Sequence, residues 1–424
     1  ANTVISSQSS SITITGTGGN TTLGSGQGVE VVNSSTIVSN TGSITITGRG
    51  GNGGSFNSGV EIKSSSSIRS TGVGANAATI VIDGRGGSGE NNNVGLLLSA
   101  ESLLSSIDGD ITLIGTGGDG FGSSNRGVNL AGFDRIESTG TGQHAANISI
   151  IGSGGNGTAF NHAFYSVVGE NAPALISSID GDIQINATSG QVLMEGSNSA
   201  ITVEAPISAT GDGNITLNGT ATLGTVWSRG VAVVRTVVST NSGDLSVTGV
   251  GGRGSGNQNE GVVVSNEATL TTNTGLISLN GTSGTNNSHG VEIWGNAGVG
   301  GKVLSTGSGS IEIVAGGEGT GVKDDFRIYA DAIIGGPNAT GDISIKADTM
   351  TLSDNASIQS SGHLTIAPMT DGLETQSISL GFESAGGRSD LNLTDSELAT
   401  IQPGFASITL GTSGLADNRN LVTV

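Results

Sequence analysis

The sequence predicts an all-β chain wound as a right-handed parallel β-helix, a three-sided β-solenoid with a coil period of about 33 residues. Three observations carry this. The stretch Gly42-Ser43-Ile44-Thr45-Ile46-Thr47-Gly48 recurs in close copies almost to the C-terminus. Each copy is followed by a second apolar pair behind a glycine, then by a third, weaker pair. The composition, 75 glycines, 5 prolines, 3% aromatic and 34% hydrophobic residues, places Ile, Val and Leu at strand spacing, whereas disordered chains are poor in them.

The first strands begin at Ile12, Ile44, Ile80, Ile111, Ile148, Ile183, Ile215, Leu245, Ile277, Ile311 and Ile343, each with Ile, Leu or Val two positions on. Period-2 alternation sends both side chains to one face and the residue between them to the other. That outward residue is usually a hydroxyl, as in Thr13, Thr45, Thr112, Ser149, Thr216, Ser246, Ser278 and Ser344. Such a ladder reads as a neutral, strand-favouring face; an ice-binding surface is the sharper reading and requires the ladder to be unbroken. Second strands start at Val29, Val60, Val128, Val231, Val262 and Val291, and third strands lie near Ile37, Ile68, Ile136, Val237 and Leu270. Equivalent strands of successive coils then pair in parallel, with right-handed crossovers.

Glycine runs at 16–20, 48–54, 84–89 and 152–157 read as tight corners. Phosphate cradling is disfavoured, because no helix pattern and no Lys-Ser/Thr pair follows them. Gly117-Gly118-Asp119-Gly120-Phe121 is a lone partial match to a calcium roll. From Thr351 the period shortens, with Leu364 and Ile378 opening strands 14 residues apart. Thr394-Asp395-Ser396-Glu397 matches a helix capping box, Pro403-Gly404 ends that helix, and Ser407-Ile408-Thr409-Leu410-Gly411 restarts the strand formula. The expected organisation is a solenoid over 1–386, and a junction or partial cap over 387–424 leading into a further solenoid block.

A formal charge of −20, from 35 acidic against 15 basic residues, disfavours nucleic acid and anionic lipid as partners. With no cysteine there is no disulfide or thiolate metal site. No apolar run approaches the ~18 residues that span a bilayer, so membrane insertion is not expected. The start at Ala1-Asn2-Thr3 reads as a mature or excised piece of something longer.

The sharpest chemical constellation lies two positions before the second strands: Gln27, Ser58, Arg126, Arg229, Glu260, His289 and Asp324, with Asp325 beside the last. Stacked, Glu260, His289 and Asp324 would suit acid–base chemistry on a polysaccharide, but the mixed column reads as a solvent-facing turn. His144, His162 and His363 lack metal-ligand spacing and read as surface or turn residues. Asp108-Gly109-Asp110 and Asp180-Gly181-Asp182 read as turn chemistry, with weak Ca²⁺ binding as the alternative. Trp227, Trp294, Tyr165 and Tyr329 are expected to pack on strands rather than to stack on sugars. No catalytic, cofactor-binding or metal-binding residue is assigned.

The repeated Gly-Ser/Asp/Asn-Ile-Thr/Ser-Ile/Leu-x-Gly units, followed by Asp390-Leu391-Asn392-Leu393-Thr394-Asp395-Ser396-Glu397-Leu398-Ala399-Thr400-Ile401 and the new strand at Ile408, resemble the shafts of filamentous-haemagglutinin-like bacterial surface proteins, especially the large cyanobacterial β-strand-repeat kind. The resemblance covers nearly the whole chain, but that family's N-terminal secretion domain has no counterpart in it. It implies a secreted or cell-surface location and a non-catalytic structural shaft of an adhesin or surface filament. Its partners would be further modules or copies joined end to end, and surface polysaccharide. The alternative is a carbohydrate-active β-helix enzyme, a polysaccharide lyase or hydrolase.

Overall fold

The computed structural model describes residues 2–20, 25–167, 175–191, 196–317, 325–369, 377–380, 390–411 and 422–423, apart from 225, 255, 285–286, 297 and 354. The fourth coil shows the plan. Its first strand, Ile111–Thr116, runs into a glycine-rich turn, then Val128–Ala131, then Arg135–Ser138, and the chain re-enters the first sheet at Ile148–Ser153. Repetition of this circuit, with a period of about 32 residues, builds three sheets of 14, 11 and 12 strands for the first, second and third sides, parallel throughout except for the last strand of the first, Val422–Thr423, which pairs antiparallel with Ser407–Leu410.

Register is exact to the residue throughout the first sheet. Ile12 pairs with Ile44, Ile44 with Ile80, and the column continues through Ile111, Ile148, Ile183, Ile215, Leu245, Ile277, Ile311, Ile343, Leu364 and Ile408. From Ile44 to Leu364 these side chains are buried, and they form one hydrophobic cluster with the inward residues of the other two sheets. The solenoid expected from the isoleucine spacing is therefore present. In the third sheet the expectation at Val237 is off by one: Val237 pairs with Thr269 and is 44% exposed, while Val238 stacks on Leu270 in the core. Adjacent valines leave the strand's phase undecided in sequence, and the register of its neighbours decides it.

The corners follow two recipes. Between first and second strands, the fifth residue of the first strand meets the backbone just ahead of the second, and a Cβ on Gly48 would overlap the Gly59 carbonyl. The same column admits alanine at 187, 315 and 347. Between second and third strands, a two-residue left-handed corner is built without glycine, as at Asn33-Ser34 (φ 60° and 56°) and Ser64-Ser65 (58° and 56°).

Toward the C-terminus the circuit changes but does not stop. Ile378 does not stack on Leu364; its strand Ser377–Leu380 pairs instead with Asp390–Leu393 in a separate two-stranded sheet. Leu391 and Leu393 are buried, Ile401 bridges to Ile358 of the third sheet, and Ser407–Leu410 lies on His363–Ala367 of the first. The capping box is formed: Glu397 N donates to Thr394 Oγ1, and Thr394 N donates to Glu397 Oε2 at 2.9 Å. Glu397 Oε1 also accepts from Leu352 N at 3.1 Å, so the short helix Asp395–Leu398 closes the end of the second sheet. The boundary at 386/387 lies outside the described residues.

Gly48→Ala is expected to cost about 1–3 kcal/mol, because the added methyl must displace backbone, and to lower the midpoint of thermal unfolding followed by circular dichroism. The mirror change Ala187→Gly, in the same column, is expected to cost less than about 1 kcal/mol.

Candidate functional site

Strand pairing places the column anticipated from sequence on the outer side of the second sheet. Gln27, Ser58, Arg126, Arg229, Glu260 and His289 each lie two residues ahead of registered core positions, and His162, ahead of Phe164, joins them. Glu260 and His289 are on adjacent coils, with Gly261 N donating to the His289 carbonyl at 3.0 Å. Asp324 lies outside the described residues. Asp325 is occupied by Thr349, whose Oγ1 accepts from Asp325 N at 2.9 Å and donates to its Oδ2 at 3.1 Å.

The column is not a solvent-facing turn. Glu260 is 1% exposed, His289 2% and His162 4%, so the surface reading of His162 is also wrong. The outward-facing positions Glu61, Asn129, Ala232, Val263 and Glu292 of the same sheet are buried as well. His144 and His363 are exposed, as expected. Burial first, then the Arg126 charge, pushes the His162 pKa down to about 3. The neutral ring lies 3.1 Å by Nδ1 from the Ser199 carbonyl, which requires the proton on Nδ1.

Buried charge here is largely compensated. Arg229 Nε donates to Glu260 Oε2 at 3.0 Å, Arg327 Nη1 lies 3.4 Å from Glu292 Oε1, and His289 Nε2 lies 3.7 Å from the same carboxylate. Arg327 lies over the Tyr329 ring at 4.1 Å, and Tyr329 stacks on Trp294 at 5.9 Å with 5° between planes. Burial, then Glu292, raises the Tyr329 pKa, so its hydroxyl stays protonated. Glu260, the acid-or-base candidate that sequence offered, and Glu292 beside the column are each held by an arginine from an adjacent coil, an arrangement that ties coils together. Among the described residues no group of three His, Asp or Glu is arranged to hold a metal ion.

The Asp-Gly-Asp motifs are clasps between coils. Asp108 Oδ2 accepts from Gly74 N at 2.6 Å, and Asp110 Oδ1 from Asn147 N at 2.9 Å. Asp180 accepts from Gly142 N and Asp212 N, which lowers its pKa, and Asp182 Oδ1 accepts from Asn214 N at 2.9 Å. Asn147 and Asn214 repeat the bond to Asp182 N and Asp244 N, giving an alternating Asp110, Asn147, Asp182, Asn214, Asp244 column. The glycine-run amides are similarly spent: Gly50 N on Arg85 O, Gly51 N on Gly26 O, Gly86 N on Thr116 O and Gly87 N on Asn57 O. The outward hydroxyl ladder is broken by Val81, Gln184 and Glu312, which interrupt the flat face that ice binding requires.

Sequence reasoning missed a second column. Asn57, Asn93, Asn125, Asn161, Asn198 and Asn259 are fully buried at the corner before the second strand. Asn57 Nδ2 donates to Asn93 Oδ1 at 2.8 Å, Asn93 Nδ2 to Asn125 Oδ1 at 2.9 Å, and Asn125 N to Asn161 Oδ1 at 3.0 Å. Its signal was the recurrent Asn-x-Gly/Ala-apolar tetrad, as in Asn57-Ser58-Gly59-Val60 and Asn161-His162-Ala163-Phe164. Packing also fails to describe Trp227, which is half exposed at φ 52°; Tyr165 by contrast stacks against His162, and Trp294 against Tyr329.

Asp134 is a separate buried carboxylate at the head of a third strand, accepting from Ser102 N at 2.9 Å and Ala131 N at 3.1 Å. Burial outweighs these bonds and raises its pKa to about 6. Serine fills the same position at 66 and 102, and Ser66 Oγ accepts from Ser35 N.

Two outcomes follow. Glu260→Ala is expected to destabilise by about 3 kcal/mol in chemical denaturation, since it strands Arg229, whereas Glu260→Leu combined with Arg229→Met is expected to be near neutral. A raised folded pKa means that Asp134 contributes stability fully below its unfolded pKa near 4 and loses it as pH rises through about 6. Asp134→Ser should therefore gain stability relative to wild type across that window, by roughly 2–3 kcal/mol at pH 7, with little difference at pH 3.5.

Comparison with known proteins finds no match to a family model, to a curated protein or to a solved structure.

Proposed function

We propose that the chain is a non-catalytic extracellular shaft of a large secreted adhesin or surface-filament protein, of the filamentous-haemagglutinin-like kind that its repeats resemble. The observation that carries this is the unbroken parallel register of the first sheet from Ile12 to Ile408, which continues past the shortened coils. At about 4.8 Å per coil the ladder spans on the order of 60 Å, with its hydrogen bonds along the rod axis and its variable turns on the flanks. The compensation of Glu260 and Glu292 by arginines weighs against the lyase or hydrolase reading.

The helix Asp395–Leu398 covers the second sheet at one end, while at the other the strand Val4–Ser7 is paired on one side only and exposes Val4 and Ile5. An apolar, half-paired edge is a template for another strand, supplied by a preceding module or a second copy. Negative-stain electron microscopy is expected to show straight rods about 60 Å long and end-joined multiples of them, with Ile5→Lys shifting the population to single rods. Compact globular particles, or turnover of a polysaccharide that Glu260→Gln abolishes, would overturn the reading.

A further inference from the structure

Two features at the corner between the first and second sheets are not explained by packing or ion pairing. One is a row of exposed aromatic side chains on strained backbone. The residue just ahead of the buried asparagine column is left-handed in coil after coil, and asparagine at 92 and 287 tolerates that conformation. Phe56, Phe160 and Trp227 occupy the same position with φ of 66°, 56° and 52°, where a bulky side chain is unfavourable. All three are exposed, at 58%, 50% and 50%, so packing does not offset the strain. Their backbone bonds to the next coil, Phe56 N to Asn91 O, Phe160 N to Ser197 O and Trp227 N to Asn257 O, keep them in one file. Along the axis they stand about 14 Å and 10 Å apart, the rise of three coils and of two.

The second feature is Arg126. On the same face Arg229, Arg235 and Arg327 each have a carboxylate within 3.4 Å, but among the described residues Arg126 has none. Its guanidinium lies over the Tyr165 ring at 4.1 Å, and Nη1 makes a long 3.4 Å bond to Asn129 Oδ1. Its Nε is buried with no acceptor. Tyr165 stacks on His162 at 5.3 Å, and His162 lies 6.2 Å from Phe160, so the aromatic row leads directly to the cation without an ion-pair partner.

A largely buried guanidinium held over a ring keeps a planar edge suited to a two-oxygen anion, and exposed aromatic faces suit the apolar faces of sugars. The chain's charge of −20 repels densely charged polymers such as nucleic acids or sulfated glycans, but far less a polymer with isolated carboxylates. We propose that this corner is a lengthwise track for an extended, uronate-containing polysaccharide, with sugar rings lying on Phe56, Phe160 and Trp227 and one carboxylate seated on Arg126. The inference deepens the reading of the chain as a surface shaft. Rods without glycan binding would sink the track alone; glycan binding by a globular particle would sink the shaft alone.

The test uses neutral xylo-oligosaccharides bearing a single glucuronate, with the methyl ester of that uronate as the uncharged counterpart, titrated against the intact chain by calorimetry and by Trp227 fluorescence in a Trp294→Phe background. Wild type is expected to bind the acid form and to bind the ester at least tenfold more weakly. Arg126→Met is expected to weaken acid binding about tenfold or more while raising the unfolding midpoint, because it removes a largely buried charge that has no ion-pair partner. Phe160→Asn and Trp227→Asn, which install the residue used at 92 and 287, are expected to weaken binding of both forms without lowering stability. Failure of the wild type to bind the acid form, equal affinity for acid and ester, or unchanged binding by these three variants would each overturn the proposal.

Discussion

Everything in this molecule depends on a strand finding its own equivalent one coil away, in exact register. The backbone hydrogen bonds enforce a single spacing along the axis, and the stacked isoleucines of the first sheet make any slip costly, since a one-residue shift would turn every inward side chain out. A coil alone could bury almost nothing. Its stability comes from the two coils that sandwich it, so the structure behaves as a one-dimensional array rather than as a globule.

Strict register means that whatever occupies a position meets a near-copy of itself about 4.8 Å away, and the polar columns show how the chain exploits or escapes that. Amides gain from self-meeting: Asn57, Asn93 and Asn125 are donor and acceptor at once, and their ladder threads a buried corner where unpaired polar groups would be expensive. Carboxylates do not. The exterior column alternates Asp110, Asn147, Asp182, Asn214 and Asp244, keeping the hydrogen bond to the next backbone while doubling the distance between like charges. On the second sheet the solution is opposite charges, Arg229 against Glu260 and Glu292 against Arg327.

How much of this was legible depended on whether a position answers to its own coil or to its neighbours. The isoleucine columns were readable because alternation inside six residues dictates them. Strands such as Leu96–Ser99 and Phe164–Val167 escaped because they lack the Gly-Val opening, although register seats them with Val128 in one column. The column holding Glu260 and His289 was placed correctly from sequence but its environment was misjudged, because its partners, such as Arg229 for Glu260, come from adjoining coils and a single coil's sequence does not show them. His162 was misread for the same reason. The asparagine column had a plain signal, in the tetrads ending at Val60 and Val128, that was masked by the chain's general richness in asparagine.

The orientation of the intercoil hydrogen bonds also determines how such a molecule meets tension. Bonds parallel to the pull open in sequence rather than all together, so a rod drawn by its two tips peels from an end instead of snapping through its middle. Each released circuit of about 32 residues pays out roughly 110 Å of slack before the next is loaded. Under a sustained tug the assembly lengthens in steps at modest force, and the circuit left behind is already a template on which the freed segment can rewind when the load falls.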